Sequence, residues 1–267
     1  MARLWWWPGR RPIPSRDCVP GRKAYACPVT KLAVEVVGEG ETVVLVHGSG
    51  VREWTWSDQR ELADRYRLVM PYRRGYGDSP AADPDFEVDG GDVAELLERP
   101  THLVGFSYGG IGALLAAAHR PDLARSVTVI EPPAFGVALD RPEVRALSER
   151  LETLFEHRDQ TPEQFGTAFA EAMGFEPRPP SPELRSALAS FMRERSPAEA
   201  VIPYERLDGT PVLVVSGGWH PVFEAVCDVL SERLAAKRAT FRGAGHGAQH
   251  AQGFNEQLVE FWHSCGS

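Results

Sequence analysis

Apolar positions fall into two patterns along the chain. Residues 31–40, KLAVEVVGEG, alternate and end in glycines, which is the signature of a half-buried strand followed by a turn. TVVLV at 42–46, YRLVM at 66–70, THLVGF at 101–106, SVTVI at 126–130 and TPVLVV at 210–215 are mostly apolar runs of strand length. ATFRG at 239–243 gives a last short strand. Between them come stretches with helical spacing. These are GGDVAELLERP with Asp92 near its start, IGALLAAAH stopped by Pro121, a segment near 221–236, and FNEQLVEFWHS.

Mostly apolar strands that alternate with helices predict an α/β fold with a mostly parallel sheet covered on both faces. The pattern changes over 134–208. RPEVRALSERLETLFEHRD, TPEQFGTAFAEAM and SPELRSALASFMRER are amphipathic, separated by proline-rich breaks, with no strand among them. The expected organisation is a core of residues 29–133 and 209–267 with a helical insertion at 134–208. Residues 1–28, rich in Pro, Arg and Gly and without periodicity, are expected to be a poorly ordered extension.

Composition narrows the partners. A chain of 267 residues with a net charge of −8 and no basic stripe is a poor match for nucleic acid or an anionic membrane. No run approaches the roughly 18 apolar residues of a membrane span, and LWWW near the N-terminus stops at Pro8, too short for a signal peptide. Cys18, Cys27, Cys227 and Cys265 have no zinc-ligand spacing, so neither a metal nor a cofactor is expected, and unpaired thiols fit a cytoplasmic protein. Nothing in the sequence bears on oligomeric state.

The chemistry begins at Gly105-Phe106-Ser107-Tyr108-Gly109, a G-x-S-x-G between an expected strand and an expected helix. Glycines two before and two after the serine allow a turn sharp enough to push its hydroxyl clear of the sheet. His47-Gly48-Ser49-Gly50 follows the first fully apolar strand, Arg73-Arg74-Gly75-Tyr76-Gly77-Asp78-Ser79 the next, and Gly245-His246-Gly247 the last. With these four in this order, the chain from Val29 onward resembles the α/β-hydrolase superfamily, with 134–208 in the place of its cap.

That resemblance implies a serine nucleophile, Ser107, a base, His246, and an oxyanion pocket made by the backbone N–H groups of Ser49 and Tyr108. His250 is the nearest rival base. An aspartate in place of Ser107 would imply a dehalogenase, so the serine argues against that activity. The usual place of the triad acid, just past TPVLVVSGG, holds His220, and Pro211–Cys227 contains a single acid, Glu224. Some branches, among them many haloalkane dehalogenases and the zearalenone lactone hydrolases, carry their acid after the strand that follows the nucleophile's helix. Glu131-Pro132-Pro133 is similar to that placement, 131 − 107 = 24 residues past the serine. Glu131 is the expected acid. Glu224 and a Ser–His dyad remain the alternatives.

Trp54, Trp56, Phe135 and His220 are candidate pocket walls, and the apolar cap favours an apolar small-molecule ester or lactone. The competing readings are hydrolysis of a C–C bond or an amide, perhydrolysis, and a non-catalytic ligand-binding scaffold on the same fold.

Overall fold

A computed structural model describes residues 31–157, 159–177 and 179–266. The expected N-terminal extension, with Cys18 and Cys27, lies outside the described residues. Among the described residues seven strands form one sheet in the order β1-β3-β2-β4-β5-β6-β7. They are β1 (Val34–Val37), β2 (Glu41–Val46), β3 (Tyr66–Pro71), β4 (Thr101–Phe106), β5 (Ala124–Ile130), β6 (Val212–Ser216) and β7 (Lys237–Thr240). Only β1, paired with β3, runs antiparallel; the other five pairings are parallel. The helices are α1 (Arg52–Thr55), α2 (Phe86–Glu95), α3 (Tyr108–His119), α4 (Pro142–Glu156), α5 (Pro162–Ala172), α6 (Pro182–Phe191), α7 (Pro221–Arg233) and α8 (Phe254–Ser264).

The central strands divide their apolar side chains between two cores, because successive residues of a strand face opposite sides. Val44, Val46 and Val214 join one buried cluster with Ile111 of α3 and Val226 of α7. Val43, Leu45 and Val215 join the other with Leu258 and Trp262 of α8. At roughly 25 cal/mol per Å² of apolar surface, burial of this kind is what offsets the entropy of ordering the chain.

Two boundaries differ from the pattern. Helix α2 starts at Phe86, not beside Asp92, with the Asp85 side chain accepting the Glu87 N–H as its N-cap. Gly90-Gly91, which read as a helix start, lies inside it. Gly90 is there because a Cβ at that position would stand 2.6 Å from the Leu115 Cβ of α3. Its cost as a helix interior residue, about 1 kcal/mol, is offset by that close helix contact. Strand β7 begins at Lys237, two residues earlier than expected.

Between β5 and β6, helices α4, α5 and α6 pack through their own aromatic residues. Phe165 meets Phe155 at 5.3 Å and Phe191 at 5.1 Å, and Phe169 meets Phe191 at 4.7 Å between ring centroids. Thr161 and Ser181 cap α5 and α6. No helix among the described residues is long and apolar enough to cross a membrane.

Candidate active site

Ser107 sits between the last residue of β4 and the first of α3, with φ 51° and ψ −129°. Among the described residues only three non-glycine positions have positive φ, and Ser107 and Glu131 are two of them. Such a conformation costs on the order of 1–3 kcal/mol and persists only where the surroundings enforce it. The glycines do the enforcing. A Cβ on Gly105 would lie 2.5 Å from the Gly109 carbonyl oxygen, and one on Gly109 would lie 2.4 Å from the His47 oxygen. The end of β4, the Ser107 turn and the loop after β2 therefore meet at backbone contact.

Ser107 and Glu131 occupy equivalent steps on neighbouring strands. The Ser107 N–H bonds to the Ile130 oxygen at 2.8 Å, and the Glu131 N–H to the Val215 oxygen at 2.9 Å. Each residue is thus the first beyond its strand, at the carboxyl edge where ligands gather in parallel sheets. His246 arrives from the loop after β7. Its Nε2 is 3.0 Å from Ser107 Oγ and its Nδ1 is 3.2 Å from Glu131 Oε2. The imidazole packs at a tilt against the rings of Phe106 and Phe223, each 4.9 Å away between centroids.

The Glu131 carboxylate is fully buried, whereas the His246 side chain is 27% exposed. Burying a charge is costly unless donors replace its water. Here Oε1 accepts the Gly217 N–H at 2.6 Å, and Oε2 accepts the Trp219 indole N–H at 2.8 Å as well as facing His246. The segment after β6 thus supplies two donors to a carboxylate carried by β5. Gly217 has a second reason to be glycine, since a Cβ there would come within 1.8 Å of the Gly245 oxygen, in the loop that carries His246.

The rival groups are engaged elsewhere. Glu224 accepts the Gly218 N–H at 3.1 Å and an Arg238 N–H at 2.7 Å, and Asp228 accepts from Arg238 at 3.3 Å. His250 Nδ1 lies 3.0 Å from Asp58 and its ring packs on Trp54. His47 accepts the Arg73 backbone N–H at Nε2, 3.0 Å, which fixes its Nδ1 as a donor to the Gly48 oxygen at 2.8 Å. Burial holds that imidazole well below the usual histidine range, so it stays neutral and braces the loop.

The expected pocket walls separate. Trp54 is 57% exposed, whereas Trp56 is 1% exposed and belongs to the buried cluster beneath the sheet, so it is not a wall. Two positions of sequence separation near α1 are enough to send the two indoles to different environments. Phe135 is also buried, one ring removed from His246 through Phe223 at 6.0 Å. His220 caps α7, its Nδ1 accepting the Val222 N–H at 3.2 Å. Burial lowers its pKa below the ordinary histidine value. Trp219, which pattern reading passed over, stacks on Phe175 of the α5–α6 segment at 4.8 Å.

Residues 43–257, which include every group above, match the alpha/beta hydrolase family. The chain belongs to that family. A pimeloyl-[acyl-carrier protein] methyl ester esterase of Methylococcus capsulatus is 40% identical over 101 residues, 37% of this chain and 40% of that protein. A 2-hydroxy-6-oxo-6-phenylhexa-2,4-dienoate hydrolase of Burkholderia cepacia is 31% identical over 117 residues, 39% of this chain and 41% of that one. The alpha/beta hydrolase described here thus spans less than half the length of these two curated relatives. The solved structure of a thermophilic esterase from Thermogutta terrifontis superposes with a TM-score of 0.67 at 21% identity, covering 88% of this chain and 94% of that one. At that identity the likeness is one of fold.

Proposed function

We propose that this alpha/beta hydrolase is a serine hydrolase that cleaves the carboxylic ester of an apolar small molecule through an acyl-enzyme. One observation carries the reading: the continuous hydrogen-bonded line from Ser107 Oγ through His246 to a fully buried Glu131. A carboxylate only accepts hydrogen bonds, so His246 Nδ1 is the protonated nitrogen and Nε2 is left to accept. That is the tautomer a base needs.

As Ser107 Oγ attacks the ester carbonyl, its proton passes to His246 Nε2, and the imidazolium is stabilised by Glu131, which keeps its charge. The carbonyl oxygen becomes an oxyanion and is met by the backbone N–H groups of Ser49 and Tyr108. Tyr108 is the first residue of α3 and so has no intrahelical acceptor for its N–H. Collapse expels the alcohol, which takes the proton from His246. Water then attacks the acyl-serine with His246 as base, releasing the acid and restoring Ser107.

Helices α4–α6 stand in the place of a cap. The partly exposed Phe175 and Trp54 and the stacked Trp219 favour an apolar acyl or alcohol portion, of a linear ester or a lactone. The free thiols of Cys227 and Cys265 agree with a cytoplasmic setting. The Burkholderia relative supports C–C bond hydrolysis as the second reading.

The test is covalent labelling by a fluorophosphonate together with turnover of short-chain aryl esters. Wild-type protein should label and turn over, and Ser107→Ala should do neither. Wild type that is inert to both refutes the proposal; turnover of a vinylogous 1,5-diketone in preference to esters favours the second reading.

A further inference from the structure

Behind the oxyanion loop lies a buried charged cluster that the acyl-transfer steps do not use. Arg73, Asp89 and Glu194 side chains are each 1% exposed. Arg73 donates to Asp89 at 2.8 Å and to Glu194 at 2.5 Å. One carboxylate would neutralise the guanidinium, and Asp89 already stands beside it. A second buried carboxylate adds a desolvation cost that pairing with Arg73 does not require.

The partners of Glu194 show what it holds. Its Oε2 accepts the Ser49 hydroxyl at 2.6 Å, and its Oε1 accepts the Tyr76 hydroxyl at 2.8 Å. The same Arg73 donates to the Gly48 oxygen at 3.1 Å. Gly48 itself rests on the nucleophile, since a Cβ there would lie 2.8 Å from the Ser107 Cβ. The next residue of the chain reaches the other oxyanion donor: the Tyr108 hydroxyl donates to the Arg195 carbonyl at 3.0 Å. The Tyr108 ring also packs against Arg73, whose guanidinium carbon is 4.8 Å from its centroid. Arg195 is fixed in turn, by its N–H to the Pro84 oxygen at 3.0 Å and by ion pairs to Glu87 and Glu199.

We propose that Glu194 and Arg195, in the turn that ends α6, are positioning residues that hold Ser49 and Tyr108, so that the helical insertion sets the oxyanion pocket. This rests on the serine-hydrolase reading of the site. Two consecutive residues of the insertion grip the two residues whose N–H groups stabilise the oxyanion, across 145 and 87 residues of sequence. An insertion docked at this joint completes the pocket; one displaced from it leaves Ser107 and His246 in place with the donors loose.

The test uses Ser49→Ala, Glu194→Met, Tyr108→Phe and the double variant Ser49→Ala/Glu194→Met, with active sites titrated by fluorophosphonate and folding checked by Tm; methionine fills the glutamate's space without an oxygen that can accept the Ser49 hydroxyl. Each substitution leaves both backbone donors in the chain but releases a tether. The expected result is a kcat lower by about 10- to 100-fold, below the ~100- to 1,000-fold typical of deleting a donor. KM should stay within about twofold, because ester binding in the ground state makes little use of the oxyanion pocket. Inhibition by a trifluoromethyl ketone, whose adduct on Ser107 is an oxyanion, should weaken by the same factor as kcat/KM. The double variant should be no worse than the poorer single one, since both break the same bond. Folded variants with kcat and ketone affinity within twofold of wild type, or additive losses in the double variant, overturn the proposal. If Glu194→Met does not fold, Ser49→Ala decides, because it leaves the Arg73–Glu194 pair intact. A wild type that neither labels nor hydrolyses esters refutes the hydrolase reading, and the proposal with it; an active wild type with indifferent variants refutes the proposal alone.

Discussion

Replacing Glu131 by glutamine changes one oxygen to NH₂ in a site with no room for error. The carboxylate faces three donors: the Gly217 N–H at 2.6 Å on Oε1, and the Trp219 indole N–H and His246 Nδ1 at 2.8 and 3.2 Å on Oε2. A glutamine amide must set its NH₂ against one side or the other. Turned toward Gly217, it opposes a backbone donor at the shortest contact of the set. Turned toward Trp219, it opposes an indole N–H but keeps the backbone bond and donates to His246 Nδ1. The second orientation costs less, and it forces the imidazole proton onto Nε2, where it can no longer accept from Ser107.

The expected loss of kcat/KM is therefore that of a wrong-tautomer triad, about 1,000- to 10,000-fold. Either orientation leaves one buried donor unmet, about 1–3 kcal/mol, or roughly 2–12 °C of Tm at ~2–4 °C per kcal/mol for a domain near this size. Removing a buried charge offsets part of that, so the variant should remain folded. The assay is aryl-ester turnover on fluorophosphonate-titrated protein, with circular dichroism and Tm beside it. A folded Glu131→Gln variant that loses less than about tenfold, under ~1.4 kcal/mol of transition-state stabilisation, would refute the acid assignment in favour of a Ser–His dyad.

The same geometry gives a sign reversal at Trp219: Trp219→Phe should lower kcat about tenfold and lower Tm in wild type, since a charge-assisted bond is worth about 1.5–3 kcal/mol. In the Glu131→Gln background it should raise Tm, because it removes the opposing N–H; a Tm loss in both backgrounds would contradict the orientation argued above. Gly217→Ala places a methyl where only 1.8 Å separates it from the Gly245 oxygen, so it should displace the His246 loop and abolish ester turnover; retained activity would show that this loop yields easily. Acid should weaken the fold through His102, whose pKa is pushed down to about 4, chiefly by burial. Its folded value lies below the unfolded one near 6.5, so its contribution is complete above pH 6.5 and is lost as pH falls toward 4, at most ~3 kcal/mol at about 1.4 kcal/mol per pH unit. His102→Phe keeps the stacking on Trp262 and should narrow the Tm difference between pH 7 and pH 4; an unchanged difference would place the acid sensitivity elsewhere.

What could be read from the sequence depended on whether a residue's role is local. Sheet strands, the three insertion helices and the Ser107 turn are written in short windows, because burial and turn chemistry act over a few residues. Glu131 could be singled out from its position after a strand, and its carboxylate lies 3.2 Å from His246; its role as the acid is the proposal tested above. Trp219 and Glu194 could not be singled out this way. An indole beside two glycines, and a glutamate in the charged run Arg193-Glu194-Arg195, carry no local sign of the partners that define them, 88 and 145 residues away. Trp56 failed in the opposite sense, since adjacency to the oxyanion loop said nothing of which way α1 would turn it. A signal was present for Glu194 in hindsight: Arg73 precedes a glycine loop, and a buried arginine must find carboxylates somewhere.

The segment past β6 is what lets the proposed acid stand on β5 and still meet the histidine. In parallel strands the carboxyl ends of β5 and β6 are neighbours, joined here by the Glu131 N–H to the Val215 oxygen. A glutamate on β5 can therefore reach the histidine loop that an acid on β6 would face, provided nothing fills the vacated end of β6. Gly217 meets that condition and adds a donor. Trp219 then closes the carboxylate from the outside and stacks on Phe175 of the insertion. On the proposed assignment the end of β6 supplies hydrogen-bond donors to the acid rather than charge, so losing a donor there should impair the triad.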